Sequence, residues 1–223
     1  MKRRTFIVGT IAASLATCIG SIEAAAEKFK ISRADVQKVP PKFRKKTVRY
    51  SGDYSVGTIV VDTRNKFLYL VQPGGKAIRY GIGVGRQGFS WSGTAVIKRK
   101  AKWPTWTPPA AMVARDDFAA QWAGGMPGGP KNPLGARALY LYQGNVDTLY
   151  RIHGTFAPSS IGKAVSSGCI RMINSDVADL YDRIPVGTKV VVVQGRKISA
   201  EEDDIEPPMK RKRRFLFSSS DEE

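Results

Sequence analysis

The chain has one histidine, His153, and it sits in the same short stretch as Cys169: YRIHGTFAPSSIGKAVSSGCIRMINSDVADLY, residues 150–181. The only other cysteine, Cys18, lies in an apolar N-terminal segment. A thiol and an imidazole are the pair that thiol nucleophilic catalysis needs. The thiolate attacks, and the imidazole takes the proton and later returns it. Each member sits beside a glycine, as His153-Gly154 and Gly168-Cys169. Glycine before a nucleophile permits a tight turn and close substrate approach. It also leaves backbone N–H groups to receive a developing oxyanion. A cysteine taken alone is more often buried and inert. Here Ser166-Ser167-Gly168 is small and turn-like, and the cation Arg171 follows. That predicts an electropositive, partly exposed site in which the thiol pKa falls.

Composition narrows the partners. The formal charge of +17 and pI near 10.1 point to a polyanion: nucleic acid, anionic lipid or an anionic wall polymer. No DNA- or RNA-reading signature accompanies the charge, so nucleic acid is set aside. Two cysteines make no disulfide framework. One histidine and one mature cysteine fall short of a zinc ligand set, so no metal is expected.

At 223 residues the chain reads as one domain with tails. Residues 1–26 form an export signal: Lys2-Arg3-Arg4, an apolar run from Phe6 to Ile22, then Ala24-Ala25-Ala26. Arg3-Arg4 fits a twin-arginine route as well as the general one. A lipoprotein box at Cys18 is a minor alternative, since Thr17 fits it poorly. Residues 27–55 are basic with Pro40-Pro41, and read as an arm or linker, more a solvated lead-in than part of the fold. The domain, residues 56–195, opens with strand patterns at Thr58–Asp62 and Phe67–Val71, predicted as a hairpin, and Ala77–Val84 continues the sheet. Gly81, Gly83 and Gly85 are not followed by a helical pattern, which excludes a dinucleotide loop.

Residues 91–130 are rich in Trp, Pro and Gly and read as a long loop. Most of its tryptophans are expected to pack beneath it, part of it is expected to border the cleft, and a short helix is expected over Met112–Trp122. Two strands around Asn145 deliver His153 at a strand end. Beyond Cys169, Asn174 or Ser175 is placed to cap a helix whose Val177, Leu180, Tyr181 and Ile184 share one face. Thr188–Val193 closes the domain as a buried strand. Residues 196–223 read as a disordered charged tail, with Lys210–Arg214 able to touch a membrane or wall peripherally.

The ordered set His153-Gly154-Thr155, Ser166-Ser167-Gly168-Cys169-Ile170-Arg171-Met172-x-Asn174, Asn132-Pro133-Leu134-Gly135-Ala136-Arg137-Ala138-Leu139 and Val186-Gly187-Thr188-Lys189-Val190 resembles the L,D-transpeptidases of bacterial cell walls. Many members carry His or Arg where this chain has Ser167. The resemblance implies a mainly β, β-sandwich-like catalytic domain with one or two short helices, and Cys169 near a helix start. It implies that Cys169 attacks a peptidoglycan tetrapeptide stem and releases D-Ala, with no cofactor. His153 is then base and acid, oriented by the Gly154 carbonyl. Gly168 and Cys169 N–H groups become the oxyanion candidates. Arg171 would hold a substrate carboxylate or make a structural salt bridge, and Ser166 and Ser167 would contact substrate or form the turn. The acceptor would be a neighbouring stem, an outer-membrane protein, or water in a carboxypeptidase or hydrolase variant. Location is then the periplasm or cell envelope. The rival outside enzymology is a wall-binding protein without catalysis. A papain-like protease is disfavoured, since there the Cys precedes the His.

Overall fold

The computed structural model describes residues 27–86 and 91–194, and the predicted export signal, Cys18 and the charged tail lie outside them. In chain order the strands are β1 (Lys46–Arg49), β2 (Ile59–Asp62), β3 (Phe67–Gln72), β4 (Lys76–Gly81), β5 (Val84–Gly85), β6 (Gly93–Lys102), β7 (Arg137–Gln143), β8 (Val146–His153), β9 (Ala164–Ser166), β10 (Ile170–Arg171) and β11 (Lys189–Val193). Helices are few and short: α1 (Ala110–Val113), α2 (Asp117–Gln121) and α3 (Asn174–Arg183).

Nine strands form one sheet in the order β1-β4-β3-β2-β11-β6-β7-β8-β10, and β5 pairs with β9 apart from it. The valine run of β11 is the hinge of this order. It lies parallel to β2 and antiparallel to β6, so its residues Val190–Val192 are buried from both sides. Continuous apolar runs of β-branched residues suit a strand with no solvent face. The far end of the sheet turns back on its beginning: Arg171 of β10 bridges to Gly83, just after β4. One core cluster accordingly gathers Leu68, Tyr80, Ile97, Leu139, Ile152 and Ile170 from strands far apart in the order, making the fold mainly β and sandwich-like. Gly83 is needed at that crossing, since a Cβ there would sit 2.7 Å from the Ser160 carbonyl oxygen. Close packing, not phosphate binding, accounts for the spaced glycines.

Helix α3 closes the core with the face read from its sequence: Val177, Leu180 and Ile184 are buried and Tyr181 packs against them. Its cap differs from expectation. Ile173, which has no polar side chain, is the N-cap residue, and the Asn174 amide bonds Ala136 and Thr155 instead of capping the helix. The predicted helix over Met112–Trp122 is two turns of helix, α1 and α2, broken where Asp116 caps α2 by accepting from the Ala119 N–H.

Two larger differences concern strands. Residues 27–55, read as an arm or lead-in, supply β1, which pairs along its whole length with β4 and buries Val48 completely. Its signal was weak because only one residue of Lys-Thr-Val-Arg is buried. The stretch assigned to a loop after Trp91 contains the ten-residue β6 in mid-sheet. Its charged run hid it. Lys100 points to the helix side yet escapes burial of its charge, its ammonium donating to the carbonyls of Tyr181 at 2.7 Å and Ile184 at 2.5 Å.

Candidate active site

β8 carries the histidine and β10 follows the cysteine directly. The two strands pair in parallel, Ile170 beside Ile152 and Arg171 beside His153. Alternation sends Ile152 and Ile170 into the core and turns Arg151, His153 and Arg171 to the opposite face. Cys169, one residue before β10, lies close to the Arg151 backbone N–H. The sheet thus brings the candidate base, the candidate nucleophile and two arginines to neighbouring strands.

His153 is held firmly. Its ring is buried, and Nδ1 lies 2.6 Å from the Gly154 carbonyl oxygen. A carbonyl can only accept, so Nδ1 carries the proton and Nε2 keeps its lone pair. Gly154 is fixed in turn: its N–H donates to the Arg137 carbonyl at 3.0 Å. Asn174 spans the same corner, accepting from the Ala136 N–H at 2.9 Å and donating to the Thr155 carbonyl at 3.1 Å. This corner explains the Asn132–Leu139 segment. Gly135 has φ +61 and lies against Gly154, and Asn132 ties Pro104, Met126, Pro127 and Leu134 together.

Residue Arg137 is 3% exposed and reads at first as an unpaired buried charge. Its partner comes from the N-terminal segment: both Glu27 carboxylate oxygens accept from the guanidinium, at 2.9 and 2.6 Å, and Glu27 also accepts from the Trp103 indole N–H. The carboxyl of Glu27 is held below its ordinary range, first by the Arg137 hydrogen bond. No sequence signal marked Glu27, because its partner is more than a hundred residues away.

The cysteine side is looser. Ser166 is buried, and its hydroxyl donates to the Cys169 carbonyl at 2.6 Å while accepting from the Gly168 N–H at 3.2 Å. Ser166 therefore shapes the turn, and the Gly168 N–H is engaged rather than free. Gly168 has φ +122, a conformation for which glycine is suited. Ser167 is exposed. The half-buried Cys169 directs Sγ to the Leu149 carbonyl, 3.8 Å away. Leu149 itself has φ +61, within a bulge where β8 gains residues opposite Leu141 of β7. The bulge also sets Tyr150 against Trp91, ring centres 5.5 Å apart, and the two line a small apolar pocket with Val84, Gly168 and Ile170. Of the tryptophans, Trp91 borders the cleft, whereas Trp103 is buried and Trp106 stacks on Phe118.

The electrostatics correct one expectation. Burial pushes the Cys169 thiol up, outweighing the opposing pull of the Arg151 backbone and of the Arg151 and Arg171 charges. Burial also pushes His153 down to about 4, although the carbonyls of Gly154 and Pro133 favour its protonated form. The resting pair is neutral thiol and neutral imidazole. Nor does a helix N-terminus face the thiol, for α3 begins only at Asn174, with β10 between. Arg171 makes no ion pair among the described residues, and burial lowers its pKa. Among the described residues no three His, Cys, Asp or Glu side chains converge to hold a metal, and no helix is long and apolar enough to cross a membrane.

A folded-back β sheet brings the candidate thiol and the candidate imidazole to neighbouring strands, with a backbone carbonyl orienting the imidazole. The model of the L,D-transpeptidase catalytic domain, the YkuD family, matches residues 56–192, and the chain belongs to that family. Probable L,D-transpeptidase YbiS of Escherichia coli K12 is 39% identical over 138 residues, 59% of this chain and 43% of that protein. Probable L,D-transpeptidase ErfK/SrfK of the same organism is 36% identical over 169 residues, 70% of this chain and 52% of that protein. The chain thus spans about half the length of these curated relatives. A solved Brucella melitensis chain, named a probable carnitine operon oxidoreductase, is 51% identical, covers 72% of this chain and 100% of its own, and has a TM-score of 0.49.

Proposed function

We propose that this protein is an exported cysteine L,D-transpeptidase of the periplasm or cell envelope, acting on peptidoglycan tetrapeptide stems. The observation that carries the reading is the β8–β10 pairing, which sets the residue after Cys169 beside Ile152 and Arg171 beside His153, whose Nδ1 is committed to the Gly154 carbonyl. Nε2 is then the one ring nitrogen able to accept the thiol proton. Sγ turns from the Leu149 carbonyl toward it and attacks the carbonyl before the terminal D-Ala. The C–S bond forms, the C–N bond breaks, and His153 returns the proton to the departing amine. An acceptor amine next attacks the thioester, gives its proton to His153 and releases the thiol.

A neutral resting pair suits this scheme, because charge appears only as the reaction begins. The imidazolium is then met by the carbonyls of Gly154 and Pro133. The oxyanion is received by the Cys169 N–H, joined by the Gly168 N–H when substrate displaces the Ser166 hydroxyl. Arg171 holds a substrate carboxylate. The acceptor is a neighbouring stem, giving a 3→3 cross-link, or an amine of an outer-membrane protein, and transfer to water would make the same acyl-enzyme a carboxypeptidase.

Intact mass after incubation with a carbapenem tests the site. A single adduct is expected on the parent protein and none on Cys169→Ala. A folded protein with a free thiol and no adduct would overturn the reading and favour a wall-binding role. Product analysis with tetrapeptide stems separates transfer from hydrolysis.

A further inference from the structure

The acyl-transfer scheme leaves one row of side chains on the catalytic face unused. Arg151 of β8 lies opposite Tyr140 of β7, and Tyr140 lies opposite Arg99 of β6. The guanidinium carbons stand 4.5 and 4.4 Å from the Tyr140 ring centre. Coming from strands on either side, they sandwich the ring. Two cations on one aromatic face-pair attract the ring's π electrons and repel each other. Asp147 offsets one of them, gripping Arg151 through two bonds of 2.6 and 2.8 Å. Arg99 makes no hydrogen bond or ion pair among the described residues, although its charge also acts on Asp147. It is exposed and lies over the Tyr140 ring. Stacking fixes the plane of the guanidinium while leaving its N–H donors unspent. A pre-positioned planar donor is the arrangement that recognises carboxylate in two-pronged fashion.

The row begins at the nucleophile, since Cys169 lies beside Arg151. Strands stand about 4.8 Å apart, so three strand steps separate the Arg99 and Cys169 backbones by roughly 14 Å, and the Arg99 guanidinium leans over the Tyr140 ring between them. At about 3.4 Å per extended residue, that is a reach of at most about four residues of peptide.

We infer that the Arg99–Tyr140–Arg151 ladder is a carboxylate-binding track for the acyl donor, with Arg99 gripping the carboxylate of the bound stem that lies farthest from the scissile carbonyl. The inference rests on Cys169 being the acylation site. Arg99 acts in binding, and its loss raises KM without lowering kcat.

Calorimetry in the Cys169→Ala background tests this without chemistry. The probes are a synthetic tetrapeptide stem with free carboxylates and the same peptide with each carboxylate amidated. Arg99→Ala should weaken the acid peptide about threefold, and Arg99→Glu about tenfold, with the amide unchanged in both. The discrimination should fade as salt rises. Equal binding of the acid peptide by parent and Arg99→Ala, equal weakening of acid and amide, or no measurable binding of the acid peptide would each overturn the track. Carbapenem acylation of Cys169 in the Arg99→Ala protein reports separately on the catalytic reading. An intact adduct with no change in peptide binding sinks the track alone.

Discussion

The two ends of the proposed catalytic pair are built differently. The histidine end is a knot: His153 is buried, and Gly154, Arg137, Asn174 and Ala136 hold it through backbone and amide bonds. The cysteine end is a short turn at the margin of the sheet, held by two strand pairs and one serine hydroxyl. A general base works only from one position, so its surroundings are rigid. A nucleophile must admit substrate, rotate and carry an acyl group, so its support is lighter. Changes at the first end should act through geometry. Changes at the second should act through reactivity.

The largest effect is expected from His153→Ala, a loss of about 10²–10⁴ in the acylation rate with little change in fold. The same variant sharpens the charge state. With His153 near 4 and the thiol raised, thiolate is scarce at neutral pH. Alkylation of the parent by iodoacetamide should climb only as pH rises beyond the ordinary thiol range near 8.5. A plateau already present at pH 6 would mean a thiolate–imidazolium pair and break the neutral description.

Gly154→Ala comes next. A Cβ there collides with Asn174 Oδ1 and sits 2.9 Å from the Ala136 nitrogen. A loss of about 3 kcal/mol in urea unfolding is expected, with activity falling in step. Ser166→Ala should be milder, about 1 kcal/mol, because one hydroxyl is lost from the turn. Its acylation rate should fall more than its stability suggests, and an unaltered rate would remove the contrast between the two ends.

The smallest effect concerns α3, behind both ends. Burial, with Asp179 nearby and Lys45 opposing, raises Asp176 to about 6. A raised carboxyl favours folding while protonated, and that contribution is lost as pH climbs from about 4 through 6. Asp176→Asn should therefore be the more stable at pH 7, the gain vanishing below pH 4. Thermal melts at the two pH values decide it.

Much of this was readable from residues. The β2–β3 hairpin, His153 at a strand end and the apolar face of α3 followed from period and turn chemistry, because local pattern and tertiary role agree there. Strand β6 did not, since Lys98, Arg99 and Lys100 broke the alternation for reasons that exist only in three dimensions. Lys100 reaches helix carbonyls, and Arg99 lies on an aromatic ring. Strand β1 and Glu27 were equally silent, as their partners are distant in sequence. The thiol's pKa was misjudged for a related reason: neighbouring cations are visible in sequence, and burial is not.

The carboxylate of Glu27 has a consequence for where the folded chain can start. The Arg137 side chain is 4% exposed, and the carboxylate that neutralises it lies 110 residues earlier in the chain. Any trimming that removes Glu27 would strand a cation one peptide bond from the Ala136–Gly154 corner. The ion pair thereby ties the N-terminal segment to the strand whose Arg137 carbonyl holds the Gly154 N–H, and so to the seat of the histidine.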